Sequence, residues 1–308
     1  MPAVPRFCGP PFLSLAACSY PRRLPASLTP GGRALLNRTQ VWELLVCDDT
    51  GALRHAEYFA NNKVNSSNLK VALEALFASL GGVRPAKVRF FRTQMNTIIG
   101  RALKDLNIKP VPSLKCAELI AWLDDRYDTV YTQHPGFQPD VAPLMGQEAG
   151  PVEELPEELR GSQWAFVELE LGELIEEARS VREGGLFGDA LDVAAFAEEM
   201  GLPLNTPVPG VVALSQRAAA VAAWTSGIEV VALQADDTRA SLVMEANVST
   251  RFRYATWPRN DAAADDEARE WTQAKAKAGG LHFLALQADA DEDVVGFWAL
   301  RDIKLPRA

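Results

Sequence analysis

Apolar and polar positions change their period along the chain, and the changes mark out elements. Val41–Cys47 is a short β-type run that ends in Asp48-Asp49-Thr50-Gly51, a turn signal, and Leu53–Phe59 can return beside it as a second strand. Ser66 or Ser67 can then cap a helix in which Leu69, Ala72, Leu73, Leu76 and Leu80 recur at helical spacing, and Gly81-Gly82 stops it. Lys87–Arg92 (KVRFFR) predicts the next strand. After it, Met95, Ile98, Ile99, Ala102, Leu103 and Leu106 fall at offsets of 0, 3, 4, 7, 8 and 11, the one-sided stripe of an amphipathic helix. Ile108–Pro112 reads as a short extended piece. A third helix, from about Leu114 to Val130, buries Cys116, Leu119, Ile120, Leu123 and Tyr127, and His134-Pro135-Gly136 ends it as a turn.

Prolines, glycines and acids then crowd residues 135–160, which makes this stretch the linker. Beyond it come a strand at Trp164–Leu169, an acidic and helical segment over residues 170–200, a helix through Arg217–Trp224, strands at Ile228–Gln234, Ala240–Val248 and Arg251–Thr256, a helix over about 265–278, and a strand pair Leu281–Gln287 and Val294–Asp302. The sequence therefore predicts an α/β protein of two α/β domains, at residues 41–138 and 163–308, joined by a linker at 139–162. The element order of the first domain suits a ribonuclease-H-like core.

The first 40 residues follow neither period. They carry Arg6, Arg22, Arg23, Arg33 and Arg38 and no acid before Glu43, and seven prolines argue against a regular helix or strand across most of them. Such composition reads as an organelle transit peptide, with a disordered tail as the alternative. Elsewhere composition is that of an ordinary globular protein, 48% hydrophobic and 23% charged, and no apolar run is long enough to span a bilayer, so stable membrane insertion is not expected. Cys8, Cys18, Cys47 and Cys116 form no CxxC pair, which leaves neither a disulfide framework nor a zinc-ligand cluster.

Net charge is −9, against a protein that coats nucleic acid indiscriminately, but the charge is unevenly spread. Residues 84–115 hold eight cations against the single acid Asp105, whereas residues 147–200 hold fifteen acids against three arginines. Strand alternation sets Lys87, Arg89 and Phe91 on one side of KVRFFR and Arg92 on the other, with Arg101 and Lys104 on the polar side of the following helix and Lys109 beyond it. Cations beside an aromatic ring suit single-stranded RNA: phosphates meet Lys and Arg, and bases stack on the ring. Arg251, Arg253 and Tyr254, with Phe252 and Trp257, form a second basic–aromatic cluster that could extend that surface; the plainer reading is a strand with its aromatic side inward and its arginines in solvent.

Enzymatic signals are poor. The chain has no P-loop, GxGxxG, GxSxG or HExxH, its three histidines stand singly, and no cofactor or bound metal is expected. Asp48, Asp49 and Glu57 around the first hairpin could hold divalent cations in a nuclease of ribonuclease-H type, although acidic residues there also serve simply as turn formers.

The words of the sequence carry a resemblance. Trp42-Glu43-Leu44, Tyr58-Phe59 with Asn61-Asn62, Val64-Asn65-Ser66, KVRFFR with Gln94-Met95, Trp122-Leu123, Arg126-Tyr127 and Val130-Tyr131 resemble the N-terminal region of the Tab family of chloroplast translation factors. Trp164-Ala165-Phe166-Val167, Ser249-Thr250-Arg251, Gly279-Gly280-Leu281-His282-Phe283-Leu284 and Gly296-Phe297-Trp298 are similar to its C-terminal region. The resemblance implies a stromal, non-enzymatic RNA-binding protein acting on the 5′ untranslated region of the messenger for PsaB, a photosystem I reaction-centre protein, and so in photosystem assembly, as part of a larger complex. A photosystem assembly scaffold with protein partners is the competing non-enzymatic reading. The family's pattern has a further edge strand ahead of Trp42, for which residues 1–40 offer only an echo at Cys18-Ser19-Tyr20-Pro21.

Overall fold

The computed structural model describes residues 12–23, 38–133 and 150–303, with side chains from residue 42 onward. The chain divides into two compact units, with the change between residues 147 and 148.

The N-terminal unit is one five-stranded sheet with helices. Its elements are β1 (Phe12–Arg23), β2 (Arg38–Asp48), β3 (Arg54–Ala60), α1 (Ser66–Ser79), β4 (Lys87–Phe90), α2 (Asn96–Lys104), β5 (Lys109–Pro112) and α3 (Ala117–Arg126). The strand order is β3-β2-β1-β4-β5. β1, β2 and β3 are antiparallel neighbours, while β4 lies parallel to β1 and β5 parallel to β4. Three antiparallel strands followed by two parallel crossovers fit the ribonuclease-H-like reading of the element order.

β1 corrects two expectations. The proline-rich leader does contain a regular strand, and that strand lies at the centre of the sheet, not at an edge. Its register runs from Leu13↔Asp48 to Arg23↔Arg38 on one side and from Phe12↔Lys87 to Leu15↔Phe90 on the other. The physical reason is local: Pro10 and Pro11 precede the strand, Phe12–Tyr20 contains no proline, and Pro21 falls past the end of the β4 pairing. The echo at Cys18-Ser19-Tyr20-Pro21 is part of this strand.

Side chains of β2 alternate between the sheet's two faces. Leu44 and Val46 join Val88 and Phe90 in a core roofed by Leu69, Leu73, Leu76 and Phe77 of α1 and by Ile99, Ala102 and Leu103 of α2. Burying each such side chain contributes about 1.5–3 kcal/mol, so the two helical stripes hold that layer on the sheet. Helix α1 is capped one residue earlier than predicted: the Asn65 side chain accepts from the Asn68 N–H at 2.9 Å. It stops where Gly81 and Gly82 take positive φ, as their sequence anticipates.

The C-terminal unit contains β6 (Val152–Glu154), β7 (Gln163–Glu170), α4 (Leu171–Arg182), β8 (Phe187–Ala190), α5 (Val193–Met200), β9 (Pro207–Leu214), α6 (Ala218–Gly227), β10 (Val230–Asp236), β11 (Ser241–Ala246), β12 (Thr250–Thr256), α7 (Ala262–Lys277), β13 (Leu281–Gln287) and β14 (Val294–Arg301). One sheet has the order β7-β9-β13-β14-β8 and the other β10-β11-β12-β6. β6, β8 and β9 were not anticipated by periodicity. β9 carries Pro207 and Pro209, yet it is an interior strand: both prolines sit where only β7 pairs, and the β13 ladder begins at Gly210. Gly210 is required there, because a Cβ would meet the Phe283 ring at 2.3 Å.

Candidate nucleic-acid interface

The fold sorts the cations of residues 84–115 into two groups. β4 lies in the parallel part of the sheet, where both faces are usually covered, and α1 and α2 pack on its Val88 and Phe90 side. Arg89 and Arg92 are accordingly buried, at 7% and 5% exposure, and Phe91 is buried beside them. Lys87 is half-buried. The predicted open sheet face bearing Lys87, Arg89 and Phe91 is therefore corrected, and Arg92, read on the other side of the strand, is buried as well: this short central strand meets packed layers on both sides, not solvent. Arg92 is unusual even so, because its Nε finds no hydrogen-bond partner among the described residues.

The second group is exposed. Arg101 and Lys104 stand on the last turn of α2, Lys109 opens β5, and Arg84 precedes β4. Arg84 reaches the Leu106 carbonyl at 3.5 Å, between Lys104 and Lys109 in sequence, and Lys109 is the register partner of Lys87. The four therefore gather where β4 and β5 begin and α2 ends. A helix C-terminus carries partial negative charge, which itself favours cations by about 0.3–1 kcal/mol each and accounts for part of their placement. None of Arg84, Arg101, Lys104 and Lys109 is within ion-pair distance of a described acid, and the stretch around them supplies only Asp105.

The C-terminal cluster has a different fate. β6 lies parallel to β12, setting Glu154 opposite Arg253, and the two form an ion pair. Glu154 also accepts from Arg160 at 2.8 Å. Arg251 lies 3.6 Å from Glu245, within ion-pair reach but too far for a hydrogen bond. Tyr254 is a core residue, and burial pushes its phenol well above the ordinary tyrosine range. Trp257 is fixed in the core by donating to Asp265 at 2.8 Å. The expectation of an RNA-stacking Tyr254 is corrected: the aromatic side of β12 faces inward and its arginines are held by acids.

The carboxylates proposed for metal binding are not assembled. Asp48 accepts from the Leu53 N–H across the hairpin at 3.2 Å. Glu57 pairs across from Leu44, four residues along β2 from Asp48, which is roughly 13 Å at the strand rise. Two-metal chemistry needs carboxylates around ions about 4 Å apart. Among the described residues no cluster of three or more metal-ligating side chains occurs.

Sequence reasoning missed a buried polar group on the opposite face of the sheet. Glu43 is fully buried on β2, and Arg126 at the end of α3 chelates it, with Nε at 3.2 Å from Oε2 and Nη2 on Oε1. Tyr131 donates to the same carboxylate, and Arg126 Nη2 also reaches the Tyr58 hydroxyl at 3.0 Å. The guanidinium lies 5.6 Å from the Trp122 ring and 5.7 Å from the Tyr131 ring. An acid in the middle of the apolar run Trp42–Cys47 was the signal that could have found it. In the C-terminal unit Lys275 and His282 are likewise satisfied: Lys275 donates to the Leu233 carbonyl, Gln234 and Asp302, and His282 Nε2 accepts from the Leu233 N–H at 2.9 Å. Burial, and then the nearby Lys275 charge, lower the His282 pKa to about 4.

Comparison with known proteins joins these halves. Residues 33–126 match the family model described as RNA-binding protein Tab2/Atab2 N-terminal, and residues 142–301 match its C-terminal domain. The chloroplastic protein TAB2 homolog of Zea mays is 46% identical over 268 residues, 87% of this chain and 68% of that protein. The Arabidopsis thaliana homolog is 44% identical over 87% of this chain and 71% of its own. Among solved structures, the Mos1 transposase paired-end complex with left transposon end is matched at 14% identity and a TM-score of 0.26, over 42% of this chain and 44% of that one, too slight a likeness to carry an argument. With both halves matched in order and nearly half the residues shared with two plant relatives, the chain belongs to the Tab2/Atab2 family of RNA-binding proteins.

Proposed function

We propose that this protein is a chloroplast RNA-binding factor that holds the 5′ untranslated region of the photosystem I PsaB messenger in the stroma and promotes its translation, and with it photosystem assembly. The observation that carries the reading is the group Arg84, Arg101, Lys104 and Lys109, four exposed cations at one end of the sheet of a chain whose net charge is −9. The names of the relatives support RNA and the chloroplast; the particular messenger rests on the family resemblance alone. The role asked of the protein is to neutralise phosphates and position the strand, with no bond made or broken, within a larger complex.

The test is the affinity of the full chain for that leader over a series of salt concentrations, beside a variant with Arg84, Arg101, Lys104 and Lys109 changed to Ala. Each phosphate contact on a single strand contributes about 0.7 to the slope of log affinity against log salt. The variant should lose up to four such contributions and bind far more weakly. Equal binding with equal slopes removes the site assignment. If the wild type does not bind the leader, the RNA reading falls, and a partner protein retained after ribonuclease treatment would put the scaffold role in its place.

A further inference from the structure

We infer that the edge strand β3 of the N-terminal sheet pairs with β3 of a second copy of this chain about a two-fold axis, joining two five-stranded sheets into one. Among the described residues β3 pairs only with β2, which leaves its other side as a row of backbone groups for a further strand. The hairpin fixes which groups these are. The Asp48 N–H donates to the Leu53 carbonyl, so Leu53, His55, Glu57 and Phe59 turn their backbone groups to β2, while Arg54, Ala56, Tyr58 and Ala60 turn theirs outward. The ladder with β2 runs without a register shift, and the strand contains no proline. Other edges of the protein are blunted. β5 carries Pro110 and Pro112, and β8 has four residues with Gly188 at positive φ. On β10 the Leu233 N–H and carbonyl are taken by His282 and Lys275.

The sequence of β3 complements itself in one register. In a two-fold antiparallel pair, opposed residues share a face of the sheet, so the axis passes through one residue. With Ala56 on the axis, two methyl groups meet at the centre. On that face exposed Arg54 stands opposite exposed Tyr58 of the second copy, a cation beside a ring, and the contact occurs twice. On the other face His55 stands opposite Glu57 of the second copy and Leu53 opposite its Phe59, again twice. His55 Nε2 has no hydrogen-bond partner among the described residues, its own Glu57 lying 3.7 Å away, and the pairing sets a second carboxylate on the same face. Moving the axis one residue along, to Glu57, would set two like charges directly opposite each other, a destabilising pair. Ala56 also turns its backbone outward, so in the favoured register it exchanges both bonds with Ala56 of the other copy. The pairing closes on itself. It uses both β3 edges and leaves β5, with its two prolines, as the outer strand at each end of the joined sheet.

The experiment measures the mass of the full chain by sedimentation over a dilution series, beside point variants and without RNA, so its outcome is independent of the RNA reading. The wild type should be a dimer that dissociates on dilution. Ala56→Pro removes an outward N–H and leaves the β2 ladder its bonds; because the axis doubles every change, it should weaken association by about tenfold or more. Ala56→Cys and Ala60→Cys are then oxidised in air with a copper catalyst. Residues that exchange two backbone bonds have Cα atoms about 5.5 Å apart, within disulfide reach, so Ala56→Cys should give a covalent dimer. Ala60 stands opposite Ala52 of the second copy, roughly 26 Å along the strand from its own counterpart, so Ala60→Cys should cross-link no more than the wild type. A wild type that is monomeric at every concentration overturns the inference, and is the result expected if another segment of the same chain lies along β3. Undiminished association of Ala56→Pro overturns it too, as does cross-linking of Ala60→Cys equal to that of Ala56→Cys. The two cysteine variants decide the matter if Ala56→Pro does not melt like the wild type.

Discussion

Residues 84–109 and residues 251–259 are written alike, with cations set among aromatic residues on and around a strand, yet they reach opposite electrostatic states. In the first stretch the strand is central and Arg89, Phe91 and Arg92 are buried, while the cations on the flanking helix end and edge strand stay in solvent with no acid paired to them among the described residues. In the second, β6 arrives from a hundred residues earlier in the chain and lays Glu154 against Arg253, while Glu245 of β11 stands beside Arg251. Local composition therefore says how many cations a segment owns; its neighbours across the sheet decide how many remain for a ligand.

The sharpest way to break the comparison is to take a paired cation from its acid in the core. Arg126→Met leaves Glu43 charged and buried, and should cost about 3–5 kcal/mol in urea unfolding, because the uncompensated charge remains. Adding Glu43→Gln should restore part of that loss. The unpaired cations should show the reverse pattern. Arg84, Arg101, Lys104 and Lys109 changed together to Ala should leave unfolding nearly unchanged but lower RNA affinity by about 10²–10³-fold at 0.1 M salt.

A smaller effect separates the two units by pH. The folded-state pKa of His282 is about 4, below the ordinary 6.5, because the buried ring beside Lys275 is held neutral. Its contribution is complete above pH 6.5 and is lost as pH falls from there toward 4. Acid should therefore loosen the C-terminal unit in this window, and His282→Gln should flatten the stability–pH curve followed by tryptophan fluorescence. The smallest effect sharpens the original contrast. Glu154→Gln releases both Arg253 and Arg160, and should raise RNA affinity about three- to tenfold at 0.1 M salt if β12 lies within reach of the strand. Because the pairs are more than a third exposed, stability should move by no more than about 1 kcal/mol.

Legibility followed the range of the interactions. The hairpin of β2 and β3, helices α1 and α2, and the pair β13–β14 were read from periods and turns because their signals lie within a dozen residues. β9 was hidden by Pro207 and Pro209, whose tolerance depends on where the β13 ladder starts, a fact of pairing and not of composition. Arg101, Lys104 and Lys109 are exposed as the sequence suggested, because helix ends and edge strands leave their polar side chains in solvent. Arg89 and Arg92 were misplaced because alternation along a strand gives sides but not what covers them. The Glu43–Arg126 pair spans 83 residues and had no local signature beyond an acid in an apolar run.

The central position of β1 sets a limit on how this chain can be trimmed. A protease that removed residues 1–40 as a leader would take away the strand that bonds to β2 on one side and β4 on the other. The remnant would be a β2–β3 ribbon and a β4–β5 ribbon with open edges facing each other, which is a template for aggregation. Any maturation that leaves a working protein must cut ahead of Phe12, and the unit can close its sheet only after both ends of the chain from Phe12 to Pro112 have been delivered.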